Sequence, residues 1–466
     1  MLGDGAAGAA FTVGGGVIEL AAAPPTPLEG SLERLEKLVS PWTGVVRDVH
    51  EVLAAPDDAR LPRLAAVLAD AKPLLGFRPG HLEESSGGSA DMRLRARAAA
   101  IGEAAERYAA SFVPDDEVVS ATARELGAEA VEPARFSLFA PEQHRLEGFP
   151  FVEFTDGTRV RWTRGFTLPE GAPAWLPAQL VYLSWNGFPS DDAPIGYATS
   201  SGLACGPTLE ESVLAGLLEL VERDAFALVW AHRLSLPLLD WRSEPELLAW
   251  EARYLEPAGA SHDVVDLSAF LGIPVALAVV HGSGDGDPAT AVGAGSAVTA
   301  REAWKKALAE AYSVRSWART LLATDPDPRF TSSRSEVASF ADHVRFHALA
   351  QHAESCAFLT RSPARRRVGD VEAVRGATVL DRIAAVCDRL ALQGCGAFAV
   401  DVTTADLLEA GLRVTKVVVP ELCPLDVRHD ARFLGGSRLR TLPHALGLTA
   451  HPLRWGDVSS DPHPFP

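Results

Sequence analysis

Between Ser212 and Trp230 the only charged residues are Glu219, Glu222, Arg223 and Asp224, and nearly all the rest are apolar. A run of that length and density predicts a buried helix, from Leu209 to about His232. A second long helix is predicted from Arg93 to about Phe112, where AAAIGEAAERYAASF is alanine-rich and similarly bare of charge. IPVALAVVHG, Ile273 to Gly282, is apolar, β-branched and unbroken, as a strand covered on both faces should be. A helix from about Thr299 to Thr320 follows GAGS, and another from Thr378 to Leu392 leads into the strands AFAVDVTT and VTKVVVP. Nearer the N-terminus, residues 1 to about 30 predict a short strand with loose flanks ending in PPTP. SLERLEKLV, from Ser31, predicts a short capped helix, and Asp57 to Asp70 another. Asp156-Gly157, set between FVEF and TRVRW, is the strongest hairpin signal. Helices and strands alternate without a uniform βαβ period, so the expected class is α/β, mixed with α+β, built of layered sheets and helices.

Composition narrows the function. The 466 residues are 47% hydrophobic and 22% charged, enough apolar material for more than one lobe and too much for a disordered chain. The formal charge of −18 argues against a general nucleic-acid or anionic-membrane binder, which needs positive surface to displace counterions. Five well-separated cysteines with no CxxC pair suggest neither a disulfide framework nor a zinc site, and fit a reduced, cytoplasmic setting. The N-terminus lacks the basic start of a signal peptide, and no segment offers about 20 uncharged apolar residues for a bilayer. There is no GxxxxGK[ST], GxSxG, HExxH or strand–GxGxxG–helix unit, so any active site is built from something else.

One pattern, ExxER, occurs in both long helices: Glu103, Glu106, Arg107 and Glu219, Glu222, Arg223. Glutamates at i and i+3 share a helix face. Adjacent carboxylates in an apolar setting repel and lose hydration, so protons, arginines or a divalent cation must neutralise them. Four such carboxylates suit Mg²⁺, which takes oxygen ligands and bridges to nucleotide phosphates. A buried Glu–Arg network tying two helices together satisfies the same pattern. Both helices follow small-residue loops, SSGGS and TSSGLACG, which either let backbone N–H groups approach an anion or simply make turns. A third helix offers Glu310 and Arg315. The end, Asp461-Pro-His-Pro-Phe-Pro466, is extended and stiff; it either delivers its terminal carboxylate to a defined place or frays.

Together, the two ExxER helices, SSGLACGPTLEES, VVVPELCPLD and the HPFP end resemble the YcaO-domain family, and within it the azoline-forming cyclodehydratases of thiazole/oxazole-modified, thiopeptide-type ribosomal peptides. The likeness runs from about Pro41 to Pro466. It implies two pseudo-equivalent ExxER helices around a nucleotide site, with ATP and Mg²⁺ as cofactors. It also implies a reaction: a Cys, Ser or Thr side chain of a precursor attacks the preceding amide, ATP phosphorylates the amide oxygen, and phosphate leaves an azoline. Carried over, Glu103, Glu106, Glu219 and Glu222 hold the metal. These four, with Arg107, Ser201, Ser212, Arg223, Glu310 and Arg315, bind nucleotide. Pro462 and Pro464 place the Pro466 carboxylate as the base.

Three positions depart from the family pattern: Ala99 stands where a serine is usual, Gly87 where many members have lysine, and Ser201 where the loop often has asparagine. Cys205 has no evident base beside it and reads as a packed thiol. The resemblance further implies a ribosomal precursor peptide, a separate leader-peptide-binding partner and, by family habit, a homodimer, while the net charge argues for no nucleic-acid or membrane partner. Residues 1–90 are expected to form an N-terminal portion without a fused leader-binding module, and 91–466 the catalytic domain. The run Arg361, Arg365, Arg366, Arg367 either meets an acidic leader or is a solvated loop. Thioamide or amidine formation at the same activated amide, and a non-catalytic scaffold binding precursor or partner, are the alternative functions.

Overall fold

The computed structural model describes residues 17–69, 85–114, 117–183, 192–284, 286–324 and 334–465. Three sheets carry the fold. An antiparallel sheet of three strands is formed by β1 (Val46–Glu51), β2 (Arg63–Leu68) and β3 (Ser85–Ser89), after helix α1 (Leu28–Glu36). Helix α2 (Arg93–Ala109) packs on it through alanines. A six-stranded sheet joins β4 (Val118–Ala121), β5 (Val160–Leu168), β13 (Ala397–Asp401), β14 (Arg413–Val418) and β7 (Leu203–Gly206) in that order, with β6 (Pro173–Pro177) also on β5. The single turn α3 (Ala123–Leu126) follows β4.

Helix α4 (Leu209–His232) runs between this sheet and a five-stranded one ordered β11 (Thr290–Ser296), β10 (Val275–His281), β9 (Ser261–Asp266), β8 (Leu238–Asp240), β12 (Arg365–Arg367). Its all-round apolar character follows, because both flanks are core. The other face of the five-stranded sheet is covered by α5 (Pro245–Tyr254) and α6 (Ala300–Thr324). With α4 on one side and α6 on the other, β10 is buried at every position but its last, which explains its unbroken run. Four further helices, α7 (Phe340–Ala348), α8 (Val379–Ala391), α9 (Ala405–Ala410) and α10 (Ser437–Ala445), complete the chain. Among the described residues no helix is long and apolar enough to cross a membrane.

Several expectations are corrected. The stretch expected as a helix from Asp57 contains strand β2, whose inward positions pair with β1 and β3 despite good helix formers. Helix α1 begins at Leu28, after Pro27, without a side-chain cap. Residues 17–27 hold no strand, and 1–16 lie outside the described residues. A turn does form at Asp156-Gly157, but FVEF joins no ladder, so only TRVRW supplies a strand. The small-residue segments expected as loops are largely strands, SSGGS being β3 and LACG β7, and GAGS ends β11. Their glycines serve close approach. A Cβ on Gly88 would run into the backbone of Ala96 and Ala100 on α2, and one on Gly293 into that of Ala307 and Ala311 on α6.

Candidate nucleotide and magnesium site

Three strand-to-helix units meet at the site: β3 with α2, β7 with α4, and β11 with α6. Each close-packed strand end aims backbone N–H groups at glutamates of the helices. Gly87 N–H donates to Glu103 Oε2 at 3.1 Å, and Gly202 N–H, on the turn before β7, to Glu219 Oε2 at 3.2 Å. Ala294 N–H donates to Glu310 Oε2 at 2.7 Å. The second glutamate of each ExxER reaches the next unit instead. Glu106 accepts from Cys205 N–H at 2.8 Å, and Glu222 from Ser296 N–H at 2.7 Å. Five carboxylates from three helices are thereby fixed near one another, each anchored by one backbone N–H.

The row carries more negative charge than its surroundings neutralise. Each ExxER arginine folds back on its own first glutamate, Arg107 on Glu103 at 3.0 Å and Arg223 on Glu219 at 3.3 Å. Arg223 also approaches Glu222 at 3.6 Å. Burial, reinforced by Glu219 and Glu103, pushes the Glu106 carboxyl well above the usual range. Burial also raises Glu222, against the pull of Arg223 and Lys306, and burial with the Glu222 charge lifts Glu310 to about 8. Burial opposes the charge on Arg223, yet Glu222, Glu219 and Glu310 outweigh it and hold the guanidinium protonated. Among the described residues its Nε and Nη1 are buried without a hydrogen-bond partner.

Lys416, a residue the motif search passed over, closes the floor from β14. Its ammonium donates to the Thr199 and Ser201 carbonyls at 2.6 and 2.7 Å, which sets the turn that carries Gly202. Burial pulls it down to about 8, opposed by Glu219. A lone charge inside the apolar run VTKVVV was the signal available for it. Ser201 thus enters through its backbone, buried beneath the turn. Ser212, fully buried, spends its hydroxyl on the Leu209 carbonyl and on Thr415 of β14, anchoring α4 to the sheet.

The structure brings together Glu103, Glu106, Arg107, Glu219, Glu222, Arg223 and Glu310. It does not bring Arg315 to them. Five residues on, Arg315 faces roughly 140° away around α6. There it is 1% exposed and pairs with Asp287 at 2.8 Å, beside Arg319, which bonds Asp287 and Asp57. As a phosphate clamp it is corrected to a structural ion pair. Arg366 likewise pairs with Asp266 at 2.8 Å. The Cys205 thiol is pushed up by burial and by Glu106, consistent with a packed, unreactive side chain.

The tail is docked and buried. Pro462, His463, Pro464 and Phe465 lie against α4, with Trp230 Nε1 donating to the Asp461 carbonyl at 3.0 Å. The Phe465 ring packs on Phe226 and lies 4.2 Å beneath the Arg223 guanidinium. Pro466 falls outside the described residues, but its neighbour touches the arginine of the second ExxER.

A family model described as YcaO cyclodehydratase, ATP- and Mg²⁺-binding, matches residues 87–423. The chain belongs to the YcaO family. A heterocyclase solved in complex with substrate and cofactor is 25% identical, with a TM-score of 0.78 over 97% of this chain and 59% of that one. YcaO from Methanopyrus kandleri, bound with AMPPCP and Mg²⁺, is 20% identical with a TM-score of 0.58, covering 85% of this chain and 91% of that one. An uncharacterized protein of Methanothermobacter thermautotrophicus is 29% identical over 203 residues, 43% of this chain and 49% of that protein. The chain spans about half the length, or less, of the curated relatives it matches.

The residues present fit the cofactors of the YcaO family. Among the described residues no three His, Cys, Asp or Glu side chains are gathered into a ready metal cage. Mg²⁺ rarely uses one, taking one or two carboxylates and completing its shell with waters and phosphate oxygens. A row of part-compensated glutamates, each anchored by one backbone N–H, is such a donor set, and the two nitrogens of Arg223 without a partner among the described residues suit phosphate oxygens.

Proposed function

We propose that this chain is an ATP- and Mg²⁺-dependent cyclodehydratase that converts Cys, Ser or Thr of a ribosomal precursor peptide to azolines. The observation that carries the reading is the coincidence of two features on Arg223: the glutamate row on one side and the docked tail on the other. Bound Mg²⁺ would be held by Glu103, Glu106, Glu219 and Glu222 and would neutralise the phosphates of ATP. Arg223, and Arg107 beside the first glutamate pair, would orient those phosphates. The fixed strand N–H groups keep the carboxylates aimed before ligand arrives, so little reorganisation is needed on binding. Pro462 and Pro464 stiffen a tail that would bring the Pro466 carboxylate to the crevice as proton acceptor. A base is required because both the attacking hydroxyl or thiol and the amide nitrogen must lose protons.

The same reading assigns residues 91–466 to the catalytic part and makes a leader-peptide-binding protein a partner. The test is incubation with ATP, Mg²⁺, precursor and partner, followed by mass spectrometry and phosphate assay. Loss of one water per ring with release of phosphate supports it. Exchange of oxygen for sulfur would instead make the chain a thioamide synthase, and no Mg²⁺-dependent nucleotide binding would leave a scaffold.

A further inference from the structure

Alternating prolines leave the tail few N–H groups, so its carbonyls are the polar handles by which it can be held. Two consecutive ones are met by imidazoles of a single helix. His343 and His347 lie four apart on α7 and so share a face. His347 Nε2 stands 2.7 Å from the Pro462 carbonyl oxygen, and His343 Nδ1 2.7 Å from that of His463. A carbonyl only accepts, so His347 Nε2 carries the proton and donates, while the neutral His343 ring has one N–H for the carbonyls that face its two nitrogens. The second His347 nitrogen faces Ser355 Oγ and Cys356 Sγ, both at 3.2 Å, which fixes the tautomer. The second His343 nitrogen stands 3.0 Å from the carbonyl of Val427, the residue that follows VVVPELCPLD.

The tail answers with a histidine of its own. The His463 ring stacks on His343 at 3.9 Å between centroids, donates to the Asp426 carbonyl, and accepts the Phe465 N–H on Nδ1 at 3.2 Å. Its ring therefore sets the direction of the residue that follows. All three imidazoles are almost fully buried, and burial holds His347 down at about 3, a neutral donor across the working range. Hydrophobic side chains would fill this space; they would not fix the two carbonyls. None of the three rings is bonded to the glutamate row.

We propose that His343 and His347 are positioning residues that grip the His463 and Pro462 carbonyls, seat Phe465 beneath Arg223 and so aim the chain end at the glutamate-lined crevice. The inference rests on the proposed use of the tail in catalysis. Its test uses the full chain with His347→Phe and His343→Phe, which keep a ring and remove the donor, and His347→Gln, which restores an N–H. Hydrogen–deuterium exchange of the peptide spanning residues 456–466 reports the grip without any reaction. The Phe variants should raise exchange in that peptide about tenfold or more while α4 and α6 stay protected, and His347→Gln should recover part of the protection. In precursor-dependent phosphate release, the Phe variants should lower kcat about 10- to 100-fold with KM for ATP unchanged, again with partial rescue by Gln. Unchanged tail exchange in both Phe variants overturns the proposal, as does a loosened tail with undiminished kcat. A wild-type chain without precursor-dependent phosphate release would count against the proposed function instead, and the exchange data would still decide the grip.

Discussion

Glu310 and Arg315 stand five residues apart on α6, and the charges around them are balanced in opposite ways. Around Arg315, two arginines meet two aspartates: Arg315 pairs with Asp287, and Arg319 with Asp287 and Asp57. Burial opposes the charge of Asp287, but the bond from Arg315 and those from Ser283 outweigh it and hold the carboxyl at about 2. Around Glu310, a row of five glutamates has its two arginines bonded back to Glu103 and Glu219, and Glu310 itself is lifted to about 8. Both clusters set arginines against carboxylates, and α6 contributes to each. A charge set that completes itself is structure, whereas one left acidic and held in place by backbone N–H groups is prepared for a cation from outside.

The widest separation between the clusters should come from mutation. Glu219→Gln with Glu222→Gln keeps the shape of the row and removes two charges; kcat/KM for phosphate release should fall by about 10³-fold with the melting temperature held or raised. Arg315→Ala should do the reverse. Leaving Asp287 buried beside one arginine should cost about 3 kcal/mol in denaturant unfolding, while nucleotide affinity of the folded chain stays within a factor of about two.

Acid and alkali should also act in opposite senses on the two clusters. Glu310 binds its proton more tightly folded than unfolded, so its contribution to the stability of the Mg²⁺-free chain is present below about pH 4.5 and is lost as pH rises toward 8. Asp287 is the converse, stabilising above about pH 3.8 and losing that contribution as pH falls toward 2. Unfolding curves of wild type, Glu310→Gln and Asp287→Asn from pH 3 to 8 would show it: Glu310→Gln should lessen the loss on the alkaline side, Asp287→Asn that on the acid side. The smallest effect belongs to Ser212→Ala, which removes the bond to Thr415 and should cost about 1 kcal/mol with activity nearly intact.

What could be read from the chain depended on whether a signal was local. Helix α4 and the two ExxER faces were legible because spacing along one helix determines them. The layered mixed fold followed from long apolar runs. SSGGS and the LACG of TSSGLACG were misread because small residues mark turns by composition, while here their glycines mark strands that a helix backbone must approach closely. Arg315 was misplaced because a shared helix does not imply a shared face. Lys416, His343 and His347 reach their partners across 215, 120 and 115 residues respectively, and no spacing rule connects such positions.

The central claim is that the glutamate row, and not the balanced pair further along α6, receives nucleotide and Mg²⁺. Calorimetric titration with a non-hydrolysable ATP analogue, with and without MgCl₂, tests it most directly on wild type, Glu219→Gln/Glu222→Gln and Arg315→Ala. Wild type and Arg315→Ala should bind only with Mg²⁺ present, and the double glutamine variant should not bind. Full binding by the double variant, or loss of binding in a folded Arg315→Ala chain, would contradict the account.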